Sequence, residues 1–320
     1  MTHPPILQVK DLSVSLHKRR EHYPIVKSLS FDLHKGKTLA IIGESGSGKS
    51  VTAQALMQLL PSPLFSTSGE ILFHGKDLLK APRGILRSIF GTKISMIFQN
   101  PQSSLNPVFT IEQQFQELIR TLLHLPAKEG KNKIIQALTD TGFHNPELCL
   151  KLYPHQLSGG MLQRVSIAMA LLTSPEILIA DEPTTALDVS VQYQILQLLK
   201  GLQEKLGMAL LIITHNMGVV AETADNVLVL YAGRLAECAP VKDIFHNPCH
   251  PYTQDLLASR PALQSKTFTT IPGQPPHYSA LPSGCCYYPR CSKAYGKCKV
   301  ESPEARHVKE GHKVRCWLYE

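Results

Sequence analysis

The densest chemistry in the chain lies in eight consecutive residues, Gly43-Glu44-Ser45-Gly46-Ser47-Gly48-Lys49-Ser50. The glycines let the backbone curl so that its N–H groups converge on one point, where they can hold phosphate oxygens. Lys49 is placed to reach the β- and γ-phosphates of a nucleotide, and the Ser50 hydroxyl to ligate Mg²⁺. A helix starting at the end of the loop would direct the positive end of its dipole at the same anion. Further along, the apolar run Ile177-Leu178-Ile179-Ala180 ends in Asp181-Glu182. Asp181 would hold Mg²⁺, directly or through water, and Glu182 would orient or deprotonate an attacking water. Two carboxylates at a strand end are weak evidence alone. Downstream of a complete phosphate loop they become the second half of a site.

Cysteines form the other candidate centre. Of eight, Cys149, Cys238 and Cys249 are scattered, whereas Cys285, Cys286, Cys291, Cys298 and Cys316 crowd into the last 36 residues. In a cytosolic protein such crowding suggests metal or redox chemistry more than disulfides. The spacing Cys285-x5-Cys291-x6-Cys298-x17-Cys316 supplies four thiolates for a [4Fe–4S] cluster or a tetrahedral zinc ion. It matches neither the C-x2-C pairs of zinc ribbons nor the ferredoxin run. Cys286 sits beside Cys285 and competes for the first position.

These groups need a scaffold. Apolar alternation predicts strands over residues 6–16 and 28–33, and Thr38–Gly43 reads as a buried strand feeding the phosphate loop. A helix is expected from about Gly48 to Leu60, then a strand at Ile94–Phe98. Residues 100–157 change character, with helices at Ile111–Leu123 and Lys128–Thr141 and no convincing strand between. Next come a helix at Met161–Leu172, the acidic strand, a helix carrying Val191, Ile195, Leu198, Leu202 and Leu206, and strands at Ala209–Thr214 and Asn226–Tyr231. Strands alternating with helices imply an α/β fold with a largely parallel sheet. Nine prolines between Pro248 and Pro303 predict an appendage without long regular elements.

Composition bounds the function. With 320 residues, 43% hydrophobic and 18% charged, the chain can bury a large core. No apolar run reaches the roughly 18–20 residues that span a bilayer, and residues 1–17 lack the pattern of a signal peptide. A soluble cytoplasmic protein is therefore expected, any membrane role coming through a partner. The net charge is +8, and the last 60 residues hold nine Lys/Arg against four Asp/Glu. Such a tail could meet nucleic acid, anionic lipid or an acidic partner, or simply be a solvated basic face.

The phosphate loop alone does not choose between kinases, GTPases and motors. Leu157-Ser158-Gly159-Gly160-Met161-Leu162-Gln163 does. With Gln99, Ala186-Leu187-Asp188 and His215 in the same order, residues 6–260 resemble the ABC transporter ATPases. The resemblance implies a P-loop ATPase core with an antiparallel β region and a helical subdomain at about 100–157, together spanning residues 1–260. A small Cys-rich extension follows over 261–320. It also implies a head-to-tail pair of motors, each phosphate site completed by the partner's Ser158, Gly159, Gly160, Met161 and Gln163, with Asp188 organising that contact. His215 would contact the γ-phosphate. Gln99 would sense it, share Mg²⁺ with Ser50 and Asp181, and couple the site to the helical insertion. Tyr23 would stack on adenine.

Phe98-Gln99-Asn100-Pro101-Gln102-Ser103-Ser104-Leu105-Asn106-Pro107, Tyr153-Pro154-His155-Gln156-Leu157 and Tyr231-Ala232-Gly233-Arg234 resemble the dipeptide/oligopeptide importer branch, which also contains nickel and glutathione importers. Asn247–Thr253 and Ile271–Pro276 resemble that branch's C-terminal extension. For Cys285, Cys291, Cys298 and Cys316 the resemblance implies a [4Fe–4S] cluster, its charge offset by Arg290, Lys293, Lys297, Lys299 and Arg315. The implied partners are two transmembrane permease subunits, a second related ATPase or a copy of this one, and an extracytoplasmic solute-binding protein. The implied location is peripheral, on the cytoplasmic face of the inner membrane. The rival is a soluble ABC ATPase acting on nucleic acid, supported only by the basic tail and weakened by the short insertion between Gln99 and Ser158.

Overall fold

The computed structural model describes residues 4–18, 21–185, 187–259 and 270–320; Ala186 and the start of the extension, residues 261–269, lie outside them. The strands are β1 (Leu7–Lys18), β2 (Glu21–Leu33), β3 (Thr38–Ile42), β4 (Phe65–Phe73), β5 (Lys76–Asp77), β6 (Ile94–Ile97), β7 (Ile177–Asp181), β8 (Ala209–Ile213), β9 (Asn226–Tyr231), β10 (Arg234–Pro240), β11 (Arg306–Lys309) and β12 (His312–Val314). The chain divides into two compact units. The first draws on Met1–Leu33, Thr38–Lys80 and Ile213–Glu320, the second on His34–Lys37 and Ala81–Ile212.

In the first unit an antiparallel sheet runs β2-β1-β4-β5. Its long strands pass through bulges, and Asp11 and Ser28 take positive φ there (49° and 48°). A second set of strands runs β11-β12-β10-β9-β3, with β3 and β9 parallel and the others antiparallel. The antiparallel β region that the resemblance implied thus lies in this unit, and the largely parallel character expected of the sheet does not extend through it. Alternation identifies a strand but not the direction of its partner, and β4, β10, β11 and β12 carry too few apolar residues to stand out.

Every residue of β3 is buried, as expected of a strand covered on both faces. The core beside it contains Ile42, Val229, Tyr231, Tyr252 and Tyr287. The last two come from the proline-rich tail, which is packed into this unit rather than appended to it. Glu237 of β10 explains part of the attachment. It is fully buried, its Oε1 lies 2.7 Å from His312 Nε2 and accepts from Cys249 N (2.7 Å), and its Oε2 accepts from His250 N (2.9 Å). A buried carboxylate with this many donors ties β12 and the segment before helix Pro251–Ala258 to β10.

In the second unit β8, β7 and β6 are neighbours in that order, with β6 and β7 parallel. Residues 101–171 build a helical body around Ile111, Phe115, Ile134, Leu138, Leu162 and Val165. Helix Ile111–Leu118 opens with a capping box from Thr110 and Gln113. The single helix expected to reach Leu123 instead widens into a π-turn at Ile119–Leu123 and stops at His124, φ 51°. Helix Gly159–Leu171 starts two residues earlier than its apolar pattern implied, because Ser158 caps it.

Candidate functional site

In the first unit β3 delivers the chain into the glycine-rich loop. A Cβ on Gly43 would lie 2.2 Å from the Leu230 carbonyl oxygen, so only glycine fits, and Gly46 and Gly48 take φ of 77° and 99°. Helix Lys49–Leu56 begins immediately after, with no side-chain cap and no acidic residue in its first turn. Its first N–H groups are thus not closed off by the chain's own carboxylates. The Ser47 hydroxyl is buried with no hydrogen-bond partner. An orphaned donor and an uncapped helix start are what a phosphate-holding loop requires.

Lys49 is buried, and its Nζ donates to the Gly43 and Glu44 carbonyls at 2.8 and 3.0 Å. The loop is braced from outside by residues that the sequence expectations did not place at this site. Gly233 N donates to the Ser47 carbonyl at 2.9 Å. Tyr252 OH accepts from Glu44 N at 2.9 Å, and Arg290 grips the Glu44 carboxylate. His215 is exposed just past β8, where Thr214 N bonds the Ile41 carbonyl (3.2 Å) and so ties this segment to the end of β3. Tyr23 is half-buried on β2, bonded to the Glu21 carboxylate and edge-on to Tyr278 with ring centroids 5.4 Å apart. Tyr278 is a second aromatic that the sequence expectations missed.

In the second unit β7 is buried throughout and ends in Asp181, 4% exposed. Glu182 follows at φ 47°, a left-handed conformation that a glutamate rarely adopts. Its Oε2 accepts from Gln99 Nε2 at 2.9 Å and from Thr185 Oγ1 at 2.7 Å. Two of the expected residues, 83 positions apart, thus meet in one hydrogen bond. Ser158 Oγ accepts from Met161 N at 3.3 Å, and Ser158, Gly159 and Met161 are exposed at the start of the helix. Gly160 packs so tightly that a Cβ would stand 2.8 Å from a Val191 methyl. Gln163, expected with the signature residues, is 1% exposed, so its side chain faces the unit's interior. Asp188 caps helix Val189–Leu206, accepting from Val191 N and Ser190 Oγ, which hold its carboxyl below the usual range.

Residues 26–185 match the ABC transporter family, and residues 236–298 match the oligopeptide/dipeptide transporter C-terminal region. The oligopeptide transport ATP-binding protein OppD of Bacillus subtilis (strain 168) is 44% identical, over 98% of this chain and 88% of its own. The dipeptide transport ATP-binding protein DppD of the same organism is 45% identical, over 98% and 94%. This chain belongs to the ABC transporter ATP-binding proteins, in their oligopeptide/dipeptide branch. Among solved structures, the dimeric post-hydrolysis state of the ATP-binding cassette MJ0796 bound to ADP and Pi superposes with a TM-score of 0.65 at 26% identity, covering 73% of this chain and 98% of that one. The cbiO1 subunit of Clostridium perfringens, part of the ABC transporter complex cbiONQ, gives a TM-score of 0.64 at 30% identity, covering 77% and 92%.

The branch's C-terminal region includes four of the five crowded cysteines, with Cys316 just beyond it. Cys285 N bonds the Cys298 carbonyl at 2.9 Å. The Cys285 thiol lies within electrostatic reach of Cys298 and Cys316, Cys291 of Cys298, and Cys316 of Cys291 and Cys298. Cys286 lies within electrostatic reach of Arg234 and Arg315, and Arg315 acts on Cys285 as well. Burial pushes the Cys285 thiol up to about 11 and raises Cys291 and Cys316 as well. A cationic centre would be needed to ionise them at neutral pH. Of the five cations expected to balance a cluster, Arg290 is committed to Glu44, whereas Lys293 and Arg315 do act on the cysteines. Among the described residues, the only three candidate ligand atoms within 4.8 Å of one another belong to Glu237, Cys249 and His312.

Proposed function

We propose that this chain binds MgATP at the Gly43–Ser50 loop and hydrolyses it to drive the import of di- or oligopeptides through a membrane permease. One observation carries the hydrolytic part: the Glu182 carboxylate, at the end of a buried acidic strand, is oriented by Gln99 and Thr185. A carboxylate held in this way takes the proton of the water that attacks the γ-phosphorus, while the bond to the ADP oxygen breaks and inorganic phosphate leaves. Lys49 and the loop N–H groups hold the β- and γ-phosphates, Ser50, Gln99 and Asp181 hold Mg²⁺, and His215 contacts the γ-phosphate. Tyr23 packs on the adenine. The near full-length likeness to peptide transport ATP-binding proteins supports the cargo.

No helix among the described residues is long and apolar enough to cross a membrane. Translocation thus falls to two permease subunits, with this chain peripheral on the cytoplasmic face and a solute-binding protein delivering cargo outside. Exposed Phe98, Val108, Phe109, Leu148 and Tyr153 support a docking surface in the helical stretch. A second ATPase, related or identical, pairs head to tail, so that Ser158, Gly159, Gly160 and Met161 complete its partner's site. The dimeric state of the MJ0796 cassette supports this.

Cys285, Cys291, Cys298 and Cys316 hold a [4Fe–4S] cluster, a reading supported by the likeness of this region to the oligopeptide/dipeptide branch and by four thiolates as its ligand set. Bound there, it would cross-link separate segments of the extension and serve structure rather than electron transfer.

The test uses cells that lack this chain, complemented with the wild type or with Glu182→Gln. Uptake of labelled dipeptide, oligopeptide, nickel and glutathione is compared. Peptide uptake should return with the wild type only. Restoration of nickel or glutathione uptake alone would move the cargo, and unchanged uptake throughout would remove the importer reading.

A further inference from the structure

Arg290 belongs to the cysteine-rich extension, yet it is aimed at the phosphate loop. Its side chain is 4% exposed, and its guanidinium takes Glu44 in a two-pronged grip, Nη1 to Oε2 at 2.6 Å and Nη2 to Oε1 at 3.0 Å. Two further donors are also fixed: Nε to the Pro272 carbonyl at 2.8 Å, and Nη1 to Tyr231 OH at 3.2 Å. Nothing in this arrangement lets the fork slide. Planar bidentate pairing of this kind sets orientation as well as distance.

Glu44 is held in turn at three separate places. Its N–H is fixed by Tyr252, its carboxylate by Arg290, and its carbonyl, with that of Gly43, receives Lys49 Nζ. Lys49 is the cation that meets the nucleotide phosphates. Its amine is aimed by two carbonyls, and the position of one is set by a side chain 246 residues away. The pairing also neutralises Glu44. An unpaired carboxylate in this loop would repel a triphosphate.

We propose that Arg290 is a positioning residue for nucleotide binding: it holds Glu44, Glu44 aims Lys49, and the affinity of the loop for MgATP thereby depends on the folded extension. This rests on the reading that MgATP binds the Gly43–Ser50 loop. Because Cys291 follows Arg290 directly, the grip also depends on the segment that the cysteine cluster anchors.

The experiment is MgATP titration of the full-length chain, followed with a fluorescent ATP analogue, for the wild type, Arg290→Met, Glu44→Gln and the double variant. Melting temperature and iron content are measured in parallel. Arg290→Met should weaken ATP binding about tenfold or more, with iron content unchanged. In the Glu44→Gln background the same substitution should change affinity less than about twofold, because the partner through which Arg290 acts is already altered. If Arg290→Met does not fold, Arg290→Lys keeps the charge without the fork and should weaken binding about threefold or more. An undiminished effect in the Glu44→Gln background overturns the proposal, and so does wild-type affinity in every folded Arg290 variant. A wild-type chain that fails to bind MgATP defeats the reading of the site itself, a result separate from either.

Discussion

Glu182 holds its carboxylate from a backbone conformation that costs on the order of 1–3 kcal/mol, and Gln99 and Thr185 help to keep it there. Glu182→Gln preserves size and hydrogen bonding but removes the base. Its steady-state ATPase rate should fall about 10²- to 10⁴-fold while ATP still binds, measured by turnover and by nucleotide retention on the same sample. A turnover loss accompanied by equal loss of binding would point instead to a misfolded loop. At this scale the chemistry is largely legible in the sequence, because Gly43–Ser50 and Ile177–Glu182 are contiguous and each motif contains its own reason. What is not legible arrives from a distance. Arg290 looks like one cation among several beside the cysteines, and only folding turns it to Glu44. Gln163 looks like part of an exposed signature, although its position on the helix turns it inward.

Elements hold the loop from three sides, and two of these supports make separate predictions. The turn between β9 and β10 presses on the loop: Gly233 has φ 76°, and a Cβ there would stand 2.1 Å from the Ile25 carbonyl oxygen. Gly233→Ala should cost about 2 kcal/mol or more in a denaturant titration and weaken ATP binding, because relieving the clash moves this backbone N–H away from the Ser47 carbonyl. His250 caps helix Pro251–Ala258, its Nδ1 accepting from Tyr252 N at 3.0 Å. Burial pushes it down from 6.5 to about 4. Between those values the unfolded chain takes up a proton that the folded chain refuses. Stability is therefore full above pH 6.5 and falls as the pH drops towards 4, by up to about 3 kcal/mol. Denaturant midpoints from pH 7 to pH 4 should slope less in His250→Asn, which keeps a capping acceptor without the titration. An identical slope would assign the pH dependence elsewhere. Neither support is visible as periodicity. Turn glycines and caps act through one or two contacts, whereas β3, β7 and β8 announce themselves by unbroken apolar runs.

At the scale of the whole molecule, the antiparallel ladders and the packing of the tail are the least legible features. They depend on pairings between segments far apart in sequence, such as β10 with β12. The same packing places the four cysteines within reach of one another. Protein purified without oxygen should contain iron and labile sulfide at about four each per chain. Zinc without sulfide would replace the cluster, and neither metal would leave four structural thiols. ATP hydrolysis on this chain is coupled, in the proposed function, to movement of cargo by the assembly. This coupling is tested most directly in proteoliposomes carrying the assembled importer, with ATP on the side of this subunit and labelled peptide with its binding protein on the other. Peptide entry and phosphate release should rise together with the wild type and both be lost with Glu182→Gln, which still binds ATP. Peptide accumulation by the Glu182→Gln assembly at the wild-type rate would contradict the coupling.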